Sequence, residues 1–198
     1  MSSRELILGR IRAALRDTPV VPPVPRDYRP AGANRPDLDV FVDRLADYKA
    51  EVYRVGEAEV ADTVQRIAGE GGSVLVPPGL PQSWRPAGAF PDDDLDQDRI
   101  AGADAVLTAA AVAVAETGTI VLDAGPDQGR RIITLLPDVH ICVLRPDQVV
   151  ASVPDAVAHL TPGRPLTWIS GPSATSDIEL NRVEGVHGPR HLHVIILD

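Results

Sequence analysis

The sequence predicts an α/β fold, in which a mostly parallel sheet is flanked by helices. Residues 51–76 alternate between a short strand, a helix and a second short strand that ends at Pro77. Later in the chain, residues 139–144 and residues 192–197 are runs rich in Val, Ile and Leu, as is typical of strands buried on both faces. Helices between such strands fit parallel pairing, because the chain must cross back over the sheet.

The individual elements follow from hydrophobic periodicity and from the Gly and Pro residues that interrupt it. We predict helices at residues 2–16, 38–49, 57–68, 109–115, 131–136 and 154–160. We predict strands at residues 51–55, 73–76, 105–108, 119–123, 139–144, 167–170 and 192–197. Together these elements predict one α/β domain over residues 38–198.

The N-terminal part of the chain is predicted to stand apart from this domain. Residues 1–17 contain an amphipathic helix, in which Ser2 and Glu5 can form a capping box. Residues 18–37 follow as an extended linker, because the six prolines of this stretch remove backbone donors. The helix either docks on a partner or packs on its own domain, and packing on its own domain is the simpler expectation.

Composition and charge narrow the classes of function. The chain has 198 residues and a formal net charge of −9, which disfavours binding to nucleic acid or to an anionic membrane surface. Cys142 is the single cysteine, so the chain cannot form an internal disulfide or hold an iron–sulfur cluster by itself. No apolar run approaches the length of a membrane span, and no signal-peptide pattern is present. We expect a soluble, cytoplasmic protein.

The C-terminal segment, residues 168–198, has two glycine turns between two predicted strands. Hydroxyl side chains crowd the first turn, and Ser176 with Glu179 can form a capping box for a short helix that ends near Glu184. A loop that leaves a strand and opens a helix can hold an anion through its free backbone N–H groups. The alternative is a tight, well-capped turn without a ligand, because Asp177 and Glu179 already occupy the start of the helix.

Glu116 is an ionisable residue in an otherwise apolar stretch, and it follows a predicted short helix. Such a carboxylate must be hydrogen-bonded, paired or protonated, and carboxylates of this kind are frequent at functional sites. We therefore take Glu116 as a candidate catalytic residue. The alternative is a structural carboxylate that caps local N–H groups or pairs with an arginine such as Arg130 or Arg131.

Sites in open α/β sheets collect outside the carboxyl ends of the strands, and we predict that the loops at residues 116–118, 170–176 and 185–190 converge there. The shared pocket would suit a small anionic substrate and acid–base chemistry. Its predicted substrate-binding residues are Thr117, Gly118, Arg131, Ser170, Gly171, Ser173, Thr175, His187, Gly188 and Arg190.

A metal site built from imidazoles is the other option at the C-terminal segment. His187, His191 and His193 could together bind zinc, although no carboxylate is placed beside them by the sequence. We predict no metal site and interpret these side chains as surface histidines. His140 and His159 are interpreted as structural. The acidic run from Asp92 to Asp98 lacks the ligand spacing of a calcium loop, and it is interpreted as a solvated or helix-capping stretch.

Three stretches carry a resemblance to a known family. The sequence S-G-P-S-A-T-S-D-I-E at 170–179 with G-V-H-G-P-R at 185–190 resembles the C-terminal signature of the lactate-utilisation protein C family, the stand-alone form of the LUD domain. A-E-T-G-T-I-V-L at 115–122 and R-R-I-I-T-L-L-P-D-V-H-I-C-V-L at 130–144 resemble further parts of it. The resemblance implies a fold like that of sugar-phosphate isomerases and CoA transferases.

The resemblance also implies a function. The lactate-utilisation proteins act as a set of three that oxidises L-lactate to pyruvate, and the two other members carry the iron–sulfur clusters. It therefore implies a cluster-free accessory subunit or binding module, with no cofactor in this chain and with the iron–sulfur subunits as partners. One alternative is a stand-alone enzyme on a small anionic substrate that uses Glu116, since E-T-G resembles the E-x-G turn of CoA transferases. Another alternative is a metabolite-sensing regulator.

Overall fold

The structure is a computed structural model that describes residues 2–16, 22–32, 34–175, 183–184 and 187–198, of which 174–175 and 183–184 are described as backbone only. The α-helices are α1 (Ser3–Ala14), α2 (Leu38–Asp47), α3 (Val60–Ala68), α4 (Gln97–Ala101) and α5 (Val153–His159). The strands are β1 (Glu51–Val55), β2 (Val74–Val76), β3 (Ala89–Pro91), β4 (Ala105–Ala109), β5 (Val112–Val114), β6 (Thr119–Leu122), β7 (Val139–Leu144), β8 (Val149–Val150), β9 (Thr167–Ile169), β10 (Ala174–Thr175), β11 (Val183–Glu184) and β12 (His191–Leu197). Single 3₁₀ turns lie at Glu57–Glu59, Gln82–Trp84, Arg131–Thr134 and Pro146–Gln148.

A parallel sheet forms the centre of the molecule. Across the described ranges it has six strands in the order β1-β12-β7-β4-β2-β3, and every neighbouring pair runs parallel. The predicted α/β class and the mostly parallel sheet are therefore confirmed. The two most apolar runs of the sequence, β7 and β12, lie side by side in the interior of the sheet, where both of their faces are covered.

The side chains of β7 alternate between two separate cores. Ile141 and Val143 point to the face covered by α3, where Val64 and Trp84 are fully buried. Cys142 and Leu144 point to the opposite face, where α2 contributes Phe41 and Leu45. Burial of one such large apolar side chain stabilises the fold by about 1.5–3 kcal/mol. Trp84 thus lies beneath α3, whereas Phe90 lies on the edge strand β3.

A second sheet, which was not predicted from the sequence, covers the α2 side of the central sheet. Its order is β8-β5-β6-β9 in the part of the chain that the structure describes. The predicted helix at residues 109–115 is wrong, because Val112–Val114 form β5 and pair antiparallel with β6. A short apolar run gives no periodicity by which helix and strand can be distinguished, and here pairing with β6 decides.

The C-terminal glycine turns differ from the prediction as far as they are described. Ala174 of β10 pairs antiparallel with Glu184 of β11, so the helix predicted to end near Glu184 does not include that residue. The predicted capping box of Ser176 and Glu179 lies outside the described residues.

The N-terminal helix forms where it was predicted. Ser2 Oγ accepts a hydrogen bond from Glu5 N at 3.3 Å, and Ser2 N donates to Glu5 Oε2 at 2.7 Å, so the capping box is confirmed. None of the residues of α1 is buried. The expectation that α1 packs on its own domain is therefore wrong, whereas docking on a partner stays a prediction. No helix within the described ranges is long and apolar enough to cross a membrane.

The acidic run between β3 and α4 divides into two roles. Asp96 caps α4 by accepting a hydrogen bond from Arg99 N at 2.8 Å, as the helix-capping interpretation predicted. Asp92 is buried, and both of its carboxylate oxygens accept hydrogen bonds from Arg130. This pair ties the loop after β3 to the turn before the 3₁₀ segment Arg131–Thr134.

Candidate functional site

A cavity of about 300 Å³ opens between the second sheet and the starts of β7 and β12. We call it the β7–β12 cavity. It is lined by Arg131, Thr134, Leu135, His140, Thr167, Trp168, Ile169, Ser170, Gly171, Pro172, Ser173, His187, Gly188, Pro189 and Leu192. Six of the predicted site residues are among them: Arg131, Ser170, Gly171, Ser173, His187 and Gly188.

The position of this cavity differs from the prediction. His140 and Leu192 are the second residues of β7 and β12 and are partners in the sheet register. The cavity therefore lies at the amino ends of these two strands, and not outside the carboxyl ends of the central sheet. The reason is the second sheet, because β9 ends beside the starts of β7 and β12 and delivers the loop that begins at Ser170.

Hydrogen bonds hold the two glycine loops together at the cavity. Ser173 N donates to Pro189 O at 2.8 Å, and His187 N donates to Ser173 Oγ at 3.1 Å. The Ser170 hydroxyl lies 2.8 Å from the Thr119 hydroxyl of β6, which in turn lies 2.8 Å from the Thr117 hydroxyl. The predicted convergence of the two C-terminal loops is therefore present, and a row of hydroxyls runs from Ser170 to the turn at Thr117.

Arg131 supplies the positive charge of the cavity. It is the first residue of the 3₁₀ segment that enters the cavity wall, and its side chain is exposed. Its guanidinium has no hydrogen bond or ion pair to any side chain that the structure describes. The neighbouring Arg130, in contrast, is held by Asp92 and Asp94. Of the two adjacent arginines, Arg131 is therefore the one available to an anionic ligand.

His140 is a polar lining residue that the sequence analysis interpreted as structural. It is 1% exposed, and its Nε2 lies 2.9 Å from Thr108 Oγ1 of the neighbouring strand β4. Burial lowers the pKa of His140 to about 4, so its imidazole is neutral at neutral pH. The sequence does contain a signal for a polar site here: His140 places an imidazole inside an apolar strand, and a buried imidazole needs a polar partner.

Glu116 lies apart from this cavity. It borders an open depression together with Arg44, Asp47, Tyr48 and Thr117. Its carboxylate forms an ion pair of 2.6 Å with Arg29 and accepts a hydrogen bond from Val153 N at 3.1 Å. The hydrogen bond from Arg29 lowers the pKa of Glu116, so this carboxylate is ionised at neutral pH. The predicted alternative partners Arg130 and Arg131 are wrong, because Arg29 of the proline-rich segment takes that place.

Two of the predicted glycines are in close contact with the end of α2. A Cβ atom on Gly118 would lie 2.7 Å from Arg44 Cβ, and one on Gly171 would lie 2.6 Å from Tyr48 Cβ. Both glycines have positive φ angles, of 62° and 81° respectively. These contacts let the turns at Glu116 and Ser170 pack against the same helix, and they separate the depression from the β7–β12 cavity.

Arg190 and Thr175 are the last two of the predicted substrate-binding residues. The Arg190 guanidinium forms a two-point ion pair with Asp138, the residue before β7, and this pair lowers the pKa of Asp138. Arg190 therefore joins the starts of β7 and β12, and it does not line the cavity. Thr175 lies in β10, but its side chain is not among those described.

The three C-terminal histidines are not gathered around one point. His187 lines the β7–β12 cavity, as does Leu192 of β12. Because side chains alternate along a strand, His191 and His193 point away from Leu192. His193 stacks on Tyr53 at 6.0 Å between ring centroids. Among the residues that the structure describes, no group of three or more His, Cys, Asp or Glu side chains is placed to hold a metal ion.

The fold and the site together define an α/β protein with a polar cavity enclosed by glycine loops, and the LUD domain family matches residues 90–197. The match leaves out β1 and β2, although both pair within the same central sheet. The chain belongs to this family, and within it to the group of lactate utilisation C proteins, as the following relatives show.

Lactate utilization protein C of Deinococcus radiodurans is 48% identical over 185 residues, which cover 89% of this chain and 86% of that protein. Lactate utilization protein C of Anoxybacillus flavithermus is 30% identical over 179 residues, covering 81% and 80% of the two chains. The crystal structure of a DUF162 family protein from Deinococcus radiodurans matches with a TM-score of 0.70 at 41% identity. It covers 81% of this chain and 96% of that one, so most of the architecture is shared.

Proposed function

We propose that this protein takes part in the oxidation of L-lactate to pyruvate as a cluster-free subunit that binds a small carboxylate in the β7–β12 cavity. The observation that carries the proposal is Arg131, which lines the cavity and whose guanidinium has no partner among the described side chains. The volume of about 300 Å³ is at the lower end of the range for ligand pockets and suits a small metabolite. The relatives named for lactate utilisation, which span most of this chain, support a role in the use of lactate.

The cysteine of the chain supports a role beside cluster-bearing partners. Cys142 is completely buried between the central sheet and α2, and burial raises the pKa of its thiol to about 12. A thiolate is the form that ligates iron, so Cys142 is unsuited to that task. On this proposal, the electrons from lactate pass to iron–sulfur centres in partner subunits, and the protein works in the cytoplasm.

A growth assay tests the proposal. A bacterial strain that lacks its own lactate-utilisation C protein, and retains the other two proteins, would be supplied with the native chain or with Arg131→Met. We expect growth on L-lactate with the native chain and strongly reduced growth with Arg131→Met. Arg35→Met is the matched control, because Arg35 is an exposed arginine outside the cavity, and it should rescue fully. Full rescue by soluble Arg131→Met would contradict the proposed carboxylate site.

The same assay separates the alternative functions. A stand-alone enzyme that uses Glu116 should lose growth with Glu116→Gln, although this variant keeps the β7–β12 cavity intact. Our proposal expects Glu116→Gln to rescue, since Glu116 lies in a separate depression and is paired with Arg29. A metabolite sensor should bind its ligand and yet be dispensable for lactate oxidation in cell extracts, whereas a subunit should co-purify with the cluster-bearing proteins.

A further inference from the structure

His140 is the most deeply buried titratable side chain at the cavity. It belongs to β7, and its imidazole is held in place by the Thr108 hydroxyl on the neighbouring strand, 2.9 Å from Nε2. Thr108 and His140 are buried from solvent, apart from the small surface that His140 contributes to the cavity wall. The ring is therefore fixed in orientation by one of its nitrogens.

The other ring nitrogen, Nδ1, has no hydrogen-bond partner among the described residues. In that part of the chain, however, every side-chain nitrogen or oxygen that is sealed from solvent does have a partner. Nδ1 must therefore reach open space, and the open space that His140 borders is the β7–β12 cavity. A buried ring thus presents a single unsatisfied nitrogen to the same cavity that contains Arg131.

The chemistry of this nitrogen follows from its surroundings. Because burial keeps the imidazole neutral, Nδ1 adds no second charge to the site. A neutral imidazole nitrogen donates one hydrogen bond or accepts one, according to the tautomer of the ring, and the Thr108 hydroxyl can pair with Nε2 in either tautomer. It is therefore suited to a hydroxyl or a carbonyl oxygen, while the carboxylate of the same ligand pairs with Arg131.

We propose that His140, oriented by Thr108, recognises the oxygen on the carbon next to the ligand's carboxylate, so that the cavity selects small 2-hydroxy or 2-oxo acids over plain carboxylic acids. This inference rests on the carboxylate site proposed at Arg131. A plain acid would bury the cavity face of His140 without satisfying Nδ1, and sites built to pair a polar group discriminate strongly against ligands that lack it. We expect a preference of about tenfold or more.

Calorimetry on the full chain with sodium L-lactate, pyruvate and propionate tests this selectivity. These acids have three carbons each, and propionate lacks the oxygen on the carbon next to the carboxylate. We expect lactate or pyruvate to bind at least about tenfold more tightly than propionate. Because the carbonyl oxygen of pyruvate only accepts, tight binding of pyruvate indicates that Nδ1 donates a hydrogen bond, whereas rejection of pyruvate with retention of lactate indicates that Nδ1 accepts one. In His140→Phe the preference should fall to about one, whereas His159→Phe, an exposed position outside the cavity, should retain it.

A measurement on the native protein keeps the test independent of how well His140→Phe folds. The imidazole NMR signals of His140 should shift on addition of the preferred acid and stay unchanged with propionate. Equal affinity for the three acids, together with loss of all binding in Arg131→Met, would overturn the role of His140 and leave the carboxylate site standing. Absence of binding by any of the acids would overturn both.

Discussion

At the scale of single residues, the adjacent arginines 130 and 131 show how position, and not residue type, decides a role. Arg130 makes a two-point ion pair with Asp92, whose side chain is only 3% exposed, and a further contact to Asp94. Arg131 enters the wall of the β7–β12 cavity, with no such partner among the described side chains. Removal of the charge should therefore affect the stability of the fold at position 130 and ligand binding at position 131.

Arg130→Met should lower the melting temperature by several degrees, because it leaves the buried Asp92 carboxylate without its counter-charge. Arg131→Met should leave the melting temperature almost unchanged and reduce only carboxylate binding. Differential scanning calorimetry of the two variants measures the contrast. An equal loss of stability at both positions would mean that Arg131 is also part of the structural framework.

His140 also predicts a dependence of stability on pH. Its pKa is lowered from 6.5 to about 4 in the folded chain, so the unfolded chain binds the proton first as pH falls. This contribution to the free energy of unfolding is therefore lost below pH 6.5, and the loss levels off below pH 4. Between pH 7 and pH 5 it amounts to about 2 kcal/mol.

Urea unfolding of the native chain and of His140→Phe at both pH values isolates this contribution. Arg131 and His187 line the same cavity and remain in both proteins, so their effects cancel in the difference. We expect the native chain to lose about 2 kcal/mol more than the variant on going to pH 5. Equal losses in the two proteins would show that His140 takes up a proton in the folded state near its ordinary pKa.

At the scale of elements, the close approach of the turn at Gly118 to α2 fixes the position of the second sheet. Gly118→Ala would add a Cβ atom 2.7 Å from Arg44 Cβ and 2.9 Å from Arg44 C, which are parts of the helix itself. We expect the free energy of unfolding to fall by about 3 kcal/mol, from the positive φ and the clash together. Thermal unfolding measures this change.

Gly163→Ala is the matched control for that substitution. Gly163 has a positive φ of 88°, but a Cβ atom there would meet nothing within 4 Å. It should therefore lose only the conformational part, about 1 kcal/mol. Similar losses at the two positions would show that the contact with α2 can relax.

Of the strands described in the central sheet, β1, β2, β4, β7 and β12 could be predicted from the sequence, and β3 could not. In the second sheet, β6 and β9 were predicted as strands, whereas β5, β8 and the pairing into a separate sheet were not. β7 was predicted with its observed bounds because a short apolar run, rich in β-branched Val and Ile, is bounded by the charged residues Asp138 and Arg145. β5 was missed because its three residues follow a run of alanines and are too few to show the alternation of side chains that identifies a strand. The cavity was misplaced because the separate second sheet was not predicted, and β9 of that sheet delivers the loop that begins at Ser170. The Arg29–Glu116 pair joins residues 87 positions apart, and no local pattern reports such a contact.

At the scale of the whole molecule, the chain before α2 has two parts with different relations to the domain. No residue of α1 is buried; Leu6, Ile7 and Ile11 of the helix and its C-capping residue Leu15 are 46–59% exposed. The extended segment after it contacts the domain through Arg29 with Glu116 and through Gly32 N with Asp155. The proline-rich segment is thus attached near α5 and the Glu116 turn, whereas α1 presents its apolar stripe outward.

Deletion of residues 2–16 should therefore leave the melting temperature within about 2 °C of the native value, because no buried contact is lost. Deletion of residues 2–32 removes the contacts to Glu116 and Asp155 as well and should lower it further. Calorimetry of the two truncated chains gives the comparison. A large loss on deleting α1 alone would show that the helix packs on the domain in solution.

The strand order has a consequence for how the molecule reaches its fold. β12, the last strand described, lies between β1 and β7, so the pairing of Glu51 with His193 joins residues about 140 positions apart. Until β12 is made, β1 has no neighbour, and β7 exposes an edge lined by apolar side chains. A nascent chain on the ribosome therefore carries an unfinished sheet, and folding of this half must wait until residues 191–197 emerge. Such open edges invite pairing with other chains, which makes the interval before β12 inserts the period in which a chaperone is most useful.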